Sequence, residues 1–215
     1  MRNAIETINH KGYKIEVYTD DDPQNPIKDQ DMLGTFTAFH KRYDLSCSKN
    51  EFTKVDDFTD FIHEHRNKLV MLPLRVYEHS GITISTVNAY PYNDRWDSSY
   101  IGYVWVTYET IRKEYGYKHI TKKVIEKIEN ILRDEVKLFD DYLTGNVYGY
   151  AILDKNNNEI DSCWGYYGDY RKDMIAECRS IVDHRIKQTV QNHVKELKKY
   201  IINKIPLIYR KSLTI

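Results

Sequence analysis

The chain has 215 residues, 41% hydrophobic and 30% charged, which suits one large domain, or a domain with an appendage, and excludes a disordered segment. Its formal net charge is zero, 32 basic against 32 acidic residues, which argues against a dedicated nucleic-acid binder and an acidic DNA mimic. No apolar run reaches membrane-spanning length, no apolar leader is present, and Cys47, Cys163 and Cys178 form no CxxC pair; a cytoplasmic protein without a disulfide framework or zinc cluster is expected.

In chain order, residues 13–19 (YKIEVYT) alternate and are rich in β-branched and aromatic side chains, which predicts a strand. The segment 20–26 (DDDPQNP) reads as a loop, and 33–40 (LGTFTAFH) as a second strand. Val55, Phe58, Phe61 and Ile62 share one face of an expected helix over 55–67. Residues 69–77 (LVMLPLRVY) predict an apolar strand in which Pro73 marks an edge or a bulge. The turn 78–81 and a strand over 82–87 complete a hairpin. A loop over 88–99 leads to the clearest strand, 100–108, and a short helix over 109–115 capped by Thr107.

Val124, Ile125, Ile128, Ile131, Leu132, Val136, Phe139 and Leu143 recur at helical spacing over 121–143, and Gly145 stands where a C-terminal cap belongs. Strands over 147–154 and 159–167 flank the hairpin loop KNNN. A long amphipathic helix over 169–203 carries the stripe Met174, Cys178, Ile181, Ile186, Val190, Val194, Leu197, Ile201 and Ile205. It would span roughly 50 Å, beyond a domain radius of about 13–17 Å, so it breaks, projects or packs on a second subunit. The expected architecture is α+β: a mixed or mainly antiparallel sheet with packed helices. The division is a core over 1–168 and a basic helical appendage over 169–215, the latter an expected oligomer or partner contact.

Charge is uneven. Residues 1–110 hold 12 basic and 17 acidic residues, while 185–215 hold Arg185, Lys187, Lys195, Lys198, Lys199, Lys204, Arg210 and Lys211 against Glu196 alone. That basic stretch suits an acidic partner or nucleic acid. The densest polar-aromatic cluster is Asp94, Arg95, Trp96 and Asp97, flanked by Tyr90, Tyr92 and Tyr100 and preceded by His79. Trp, Tyr and Arg dominate binding hot spots, so this cluster reads as a binding surface; Asp94 and Asp97 can also be read as an acid–base or metal pair, or as loop caps.

Other groups keep a bland reading beside a functional one. Asp20, Asp21 and Asp22, with Asp29 and Asp31, lack EF-hand spacing and read as a solvated turn. His40 and Arg42 at a strand end suit an anion or an internal ion pair. His63 and His65 lie at i and i+2, on different sides of a helix, which argues against a shared metal. His79 and Ser80 are adjacent and lack the third group of a nucleophile–base pair. Asp161–Gly168 (DSCWGYYG) is expected to pack against the preceding helix. A metal-dependent hydrolase would need Asp20, Asp22, His40, His79, Asp94 and Asp97 at one sheet edge. No cofactor is expected.

The ordered motifs LGT (33–35), HxRYxL (40–45), HSGI (79–82), RWDS (95–98), YLTG (142–145), VYGY (147–150) and DSCWGYYG (161–168) resemble a widespread family of uncharacterised proteins carried by bacteriophages, prophages and conjugative elements. The resemblance covers residues 13–168. It carries no established activity. Accessory proteins of such elements are often antagonists of host defence, so a protein that binds and inhibits a host defence component, of anti-CRISPR or anti-restriction type, is expected. The absence of a compact catalytic motif argues that it does so without catalysis. The expected partner is a host protein or protein–nucleic-acid complex.

Overall fold

A computed structural model describes residues 3–206, so Arg210 and Lys211 of the basic stretch lie outside the described residues. The elements are β1 (Glu6–His10), β2 (Tyr13–Thr19), α1 (Pro26–Asp29), β3 (Thr35–Ala38), α2 (Val55–His65), β4 (Leu69–Glu78), β5 (Ile82–Ser85), β6 (Ser98–Thr107), α3 (Tyr108–Tyr115), α4 (Lys122–Leu143), β7 (Val147–Leu153), β8 (Glu159–Tyr167) and α5 (Met174–Lys204). The fold is α+β, with antiparallel strand pairing and a long C-terminal helix. Contacts divide it into two units that are discontinuous in sequence. One gathers the chain up to Tyr18, Gly149–Trp164 and everything from Asp169; the other holds Thr19–Tyr148 and Gly165–Gly168. The long helix therefore shares a unit with the N-terminal hairpin, whereas the sequence suggested a division at residue 168.

In the first unit, β1 and β2 form a two-residue hairpin through Lys11 (φ 51°) and Gly12 (φ 85°). Positive φ at both turn residues is what a type I′ hairpin requires. The four strands are ordered β1-β2-β7-β8. Ile15, Val17, Tyr150 and Ile152 are buried, as are Met174, Ile175, Cys178 and Val182 from the first turns of α5. His10 and Lys11 both meet Asp183, at 2.8 and 2.9 Å. Past this point α5 leaves the core: every residue over 187–201 is exposed, including Val190, Val194, Leu197 and Ile201.

The second unit is built on a sheet ordered β3-β6-β4-β5. One face packs on α4, whose Val124, Ile128, Leu132, Val136 and Phe139 are buried at spacings of one turn. They meet Phe36, Leu72, Leu74, Val76, Ile84, Ile101, Val104 and Val106 in one cluster. Each such side chain contributes roughly 1.5–3 kcal/mol by leaving water. The LGT segment enters β3 beside α4, where the Glu135 carboxylate accepts the Leu33 and Gly34 amides at 2.6 and 2.8 Å. Burial pushes the Glu135 carboxyl up, opposed by the Gly34 and Leu33 amides.

Pro73 turns out to lie in the middle of β4, which β6 and β5 flank. Yet β5 pairs only with Arg75–Glu78, so at Pro73 the strand has β6 as its sole partner, and a missing N–H is tolerated there. The register shifts just after it, between Leu74 and Arg75. Gly102 serves that irregularity: its φ is +151°, and a Cβ there would lie 2.1 Å from the Thr37 carbonyl oxygen.

Candidate binding surface

The irregularity in β6 decides which side chains share the sheet's outer face. Leu74 pairs with Gly102 but Arg75 pairs with Tyr100, so one extra residue is taken up. Ile101 and Val104 consequently both point into the core, and Tyr100 and Tyr103, three apart, meet edge to face at 5.5 Å on the other side. Toward the far end of that face, α2 covers Trp105 and Tyr103 with Phe58 and Phe61. The Trp105 indole N–H donates to the buried Thr37 hydroxyl, which donates in turn to Asn50. Toward the loop end the face opens, and Tyr100 is 49% exposed.

The loop between β5 and β6 is folded by its own side chains. Asp94 accepts the backbone N–H groups of Trp96 (2.8 Å) and Asp97 (3.0 Å), and the Ser98 hydroxyl donates to the Asp94 carbonyl. The two amides, Asp97's first, hold the Asp94 carboxyl below its usual range. Asp94 is thus the loop's cap. Tyr92 is anchored by its hydroxyl against Thr83, 3.0 Å away, and burial pushes its phenol up. Thr83 and the Ile84 amide in turn donate to Asp140 of α4, which satisfies the edge strand. What the anchored loop presents is Tyr90, 78% exposed, and Trp96, 85% exposed, with the Arg95 guanidinium 5.8 Å from the Trp96 ring.

His79 and Asp97, eighteen residues apart, do meet: Nδ1 lies 3.2 Å from Oδ2, and the imidazole stacks on Tyr77. The His79 side chain is 65% exposed, and Asp97, not the adjacent Ser80, is its hydrogen-bond partner among the described residues. His40 contrasts with it. Its Nδ1 accepts the Arg42 and Tyr43 amides, which puts the proton on Nε2, and that donates to Glu78 at 2.8 Å. Both nitrogens are taken, and only 8% of the side chain is exposed. Arg42 completes the cluster by pairing with Glu78 and leaning over Tyr43. The His40 bond first, and Arg42 second, hold the Glu78 carboxyl below its usual range. An open cleft of about 620 Å³ adjoins these residues, and Lys41 stands exposed on its lining.

The remaining candidates are dispersed. Asp20 caps the Asp22 amide and Asp31 pairs with Lys49. His65 is spent on the Phe61 carbonyl and ring. Cys47 and Cys178 are buried, and burial pushes the Cys178 thiol up to about 12. Among the described residues no three His, Cys, Asp or Glu side chains are grouped to hold a metal ion, so Asp20, Asp22, His40, His79, Asp94 and Asp97 do not converge. Trp164 of the DSCWGYYG stretch lies on Gly149 of the neighbouring strand, and Gly168 lies against Asp141 of α4, the preceding helix. Lys195, Lys198 and Lys199 are exposed on the bare half of α5. Among the described residues no helix is long and apolar enough to cross a membrane.

Sequence reasoning missed Arg75, which sits on the open face between Ser85 and Tyr100. The available signal was a single cation inside an otherwise apolar strand. In comparisons with known proteins, the chain matches no family model, no curated protein and no solved structure.

Proposed function

We propose that this chain is a non-enzymatic binding protein of a phage or mobile element that captures a host defence component and blocks it. The observation that carries the binding role is the self-capped loop that holds Trp96 and Tyr90 out to solvent beside the open aromatic face. Exposed aromatics on a rigid support, with an arginine among them, have the composition of an interface hot spot and lose little entropy on binding. The titratable side chains nearby support the same reading, because Asp94, His40 and Glu78 are each committed to holding the loop or its neighbours. The defence target follows from the motif resemblance to proteins of mobile elements. Expression of the chain in bacteria that carry a restriction or RNA-guided defence system should restore plating of a targeted phage, and Trp96→Ala should abolish the rescue. Unchanged plating across a panel of both system types would sink the reading.

A second reading is nucleic-acid contact through α5. Lys195, Lys198 and Lys199 stand exposed within about four turns of fully exposed helix, with Glu196 the one carboxylate in the stretch. Such binding would weaken steeply with salt and vanish on removal of residues 185–215.

A further inference from the structure

Arg75 is placed where folding alone has no use for it. It stands in β4 on the open face, with Ser85 opposite on one side and Tyr100 on the other. Its Nε is sealed from solvent and has no hydrogen-bond partner. No acid pairs with its guanidinium among the described residues. A sealed donor without an acceptor destabilises a fold, so such a group in a native structure calls for a reason beyond folding.

The surroundings are donors as well. Ser85 Oγ accepts the Val87 amide, which leaves its O–H to donate. Tyr100 and Tyr103 meet edge to face at 5.5 Å, and each phenol carries an O–H that can donate. A guanidinium fork flanked by hydroxyl donors lacks one thing, an oxyanion.

We infer that Arg75, with Ser85 and Tyr100, is an anchor site for a carboxylate presented by a protein partner. A carboxylate matches the planar fork in two parallel hydrogen bonds. A nucleic-acid backbone would instead need several cations at phosphate spacing. Along β4 the outer face offers Arg75 alone, and Asp94 and Asp97 lie within electrostatic reach of Tyr77, the next outer residue. Those carboxylates repel a polyanion, whereas a single acid beside Arg75 completes the site. The inference rests on the open face being the partner contact, and it names the group that the partner brings.

The Arg75 Nε–H resonance of the intact chain reports on this directly. Titration with sodium acetate at constant ionic strength should shift it saturably, in a roughly millimolar range, with sodium phosphate no tighter. Arg75→Lys, which keeps the charge but loses the fork, should weaken the saturable acetate response of the Tyr100 amide at least tenfold. Arg75→Met should melt no lower than the wild type, because it removes a sealed donor that has no acceptor. A linear response to both anions would overturn the site, as would an unchanged response in Arg75→Lys or a clearly lowered melting temperature in Arg75→Met. Phosphate binding tenfold tighter than acetate would overturn the carboxylate assignment in favour of a phosphorylated or nucleic-acid ligand. These titrations need no partner, so their failure leaves the loop's role standing. A Trp96→Ala chain that still rescues phage plating would remove that role and leave the titration untouched.

Discussion

The two faces of the β3-β6-β4-β5 sheet are made by the same strands and have opposite chemistry. The face toward α4 is Phe36, Leu74, Val76, Ile84 and Val104, all buried in one cluster with the helix stripe. The opposite face is Trp105, Tyr103, Tyr100, Arg75 and Tyr77, covered by α2 at one end and open at the other. Period-two alternation would produce two such faces in any sheet. What distinguishes this one is the irregularity at Gly102, which turns Tyr100 and Tyr103 to the same side and keeps Ile101 and Val104 on the other. The closed face fixes the fold, and the open face with its loop is free to be used.

That division makes graded expectations. Gly102→Ala strikes both faces at once, because its Cβ would meet the Thr37 carbonyl at 2.1 Å. A loss of about 4 kcal/mol or more in urea unfolding is expected, or failure to fold. Leu74→Ala opens a cavity on the closed face, where Leu74 has no exposure, and should cost about 3 kcal/mol in the same measurement.

Smaller effects belong to the supports of the open face. The lowered pKa of Glu78 means that its stabilisation is present above the ordinary carboxylate range and is lost as pH falls through the lowered value. Glu78→Gln should therefore lower the urea midpoint at neutral pH and flatten the acid limb. Glu135 has the opposite sign: its raised pKa means that its contribution weakens as pH rises from the ordinary value through the raised one. Trp96→Ala should change stability by no more than about 0.5 kcal/mol, since the side chain touches almost nothing it would leave exposed. A destabilised Trp96→Ala would blur the contrast between the faces.

The sequence was most legible where burial imposes a period. The α4 stripe, the apolar run of β4 and the hairpin loop of β7 and β8 were readable because each buries one face, and Thr107 and Thr121 stand as the caps of α3 and α4. β1 was missed because ETINH holds one apolar residue; its pairing with β2 and the Lys11-Gly12 turn make it a strand. α1 was missed because four residues have no period, although Asn25 caps it and Pro26 opens it. The division into two sheets was beyond the pattern, since alternation says which face is wet and nothing about which strand lies alongside. The cluster around Trp96 and Tyr90 was legible by composition, and both rings are exposed. The contact between His79 and Asp97 and the orphaned Arg75 were not, because both depend on the register between β4 and β6.

The most direct measurement is capture from a host lysate by the immobilised wild type and by Trp96→Ala of equal melting temperature, with the retained proteins quantified side by side. A specific partner enriched on the wild type and at least tenfold depleted on the variant is the outcome expected of a surface that is built for contact. Equal retention by both would contradict the assignment of the open loop as the binding site.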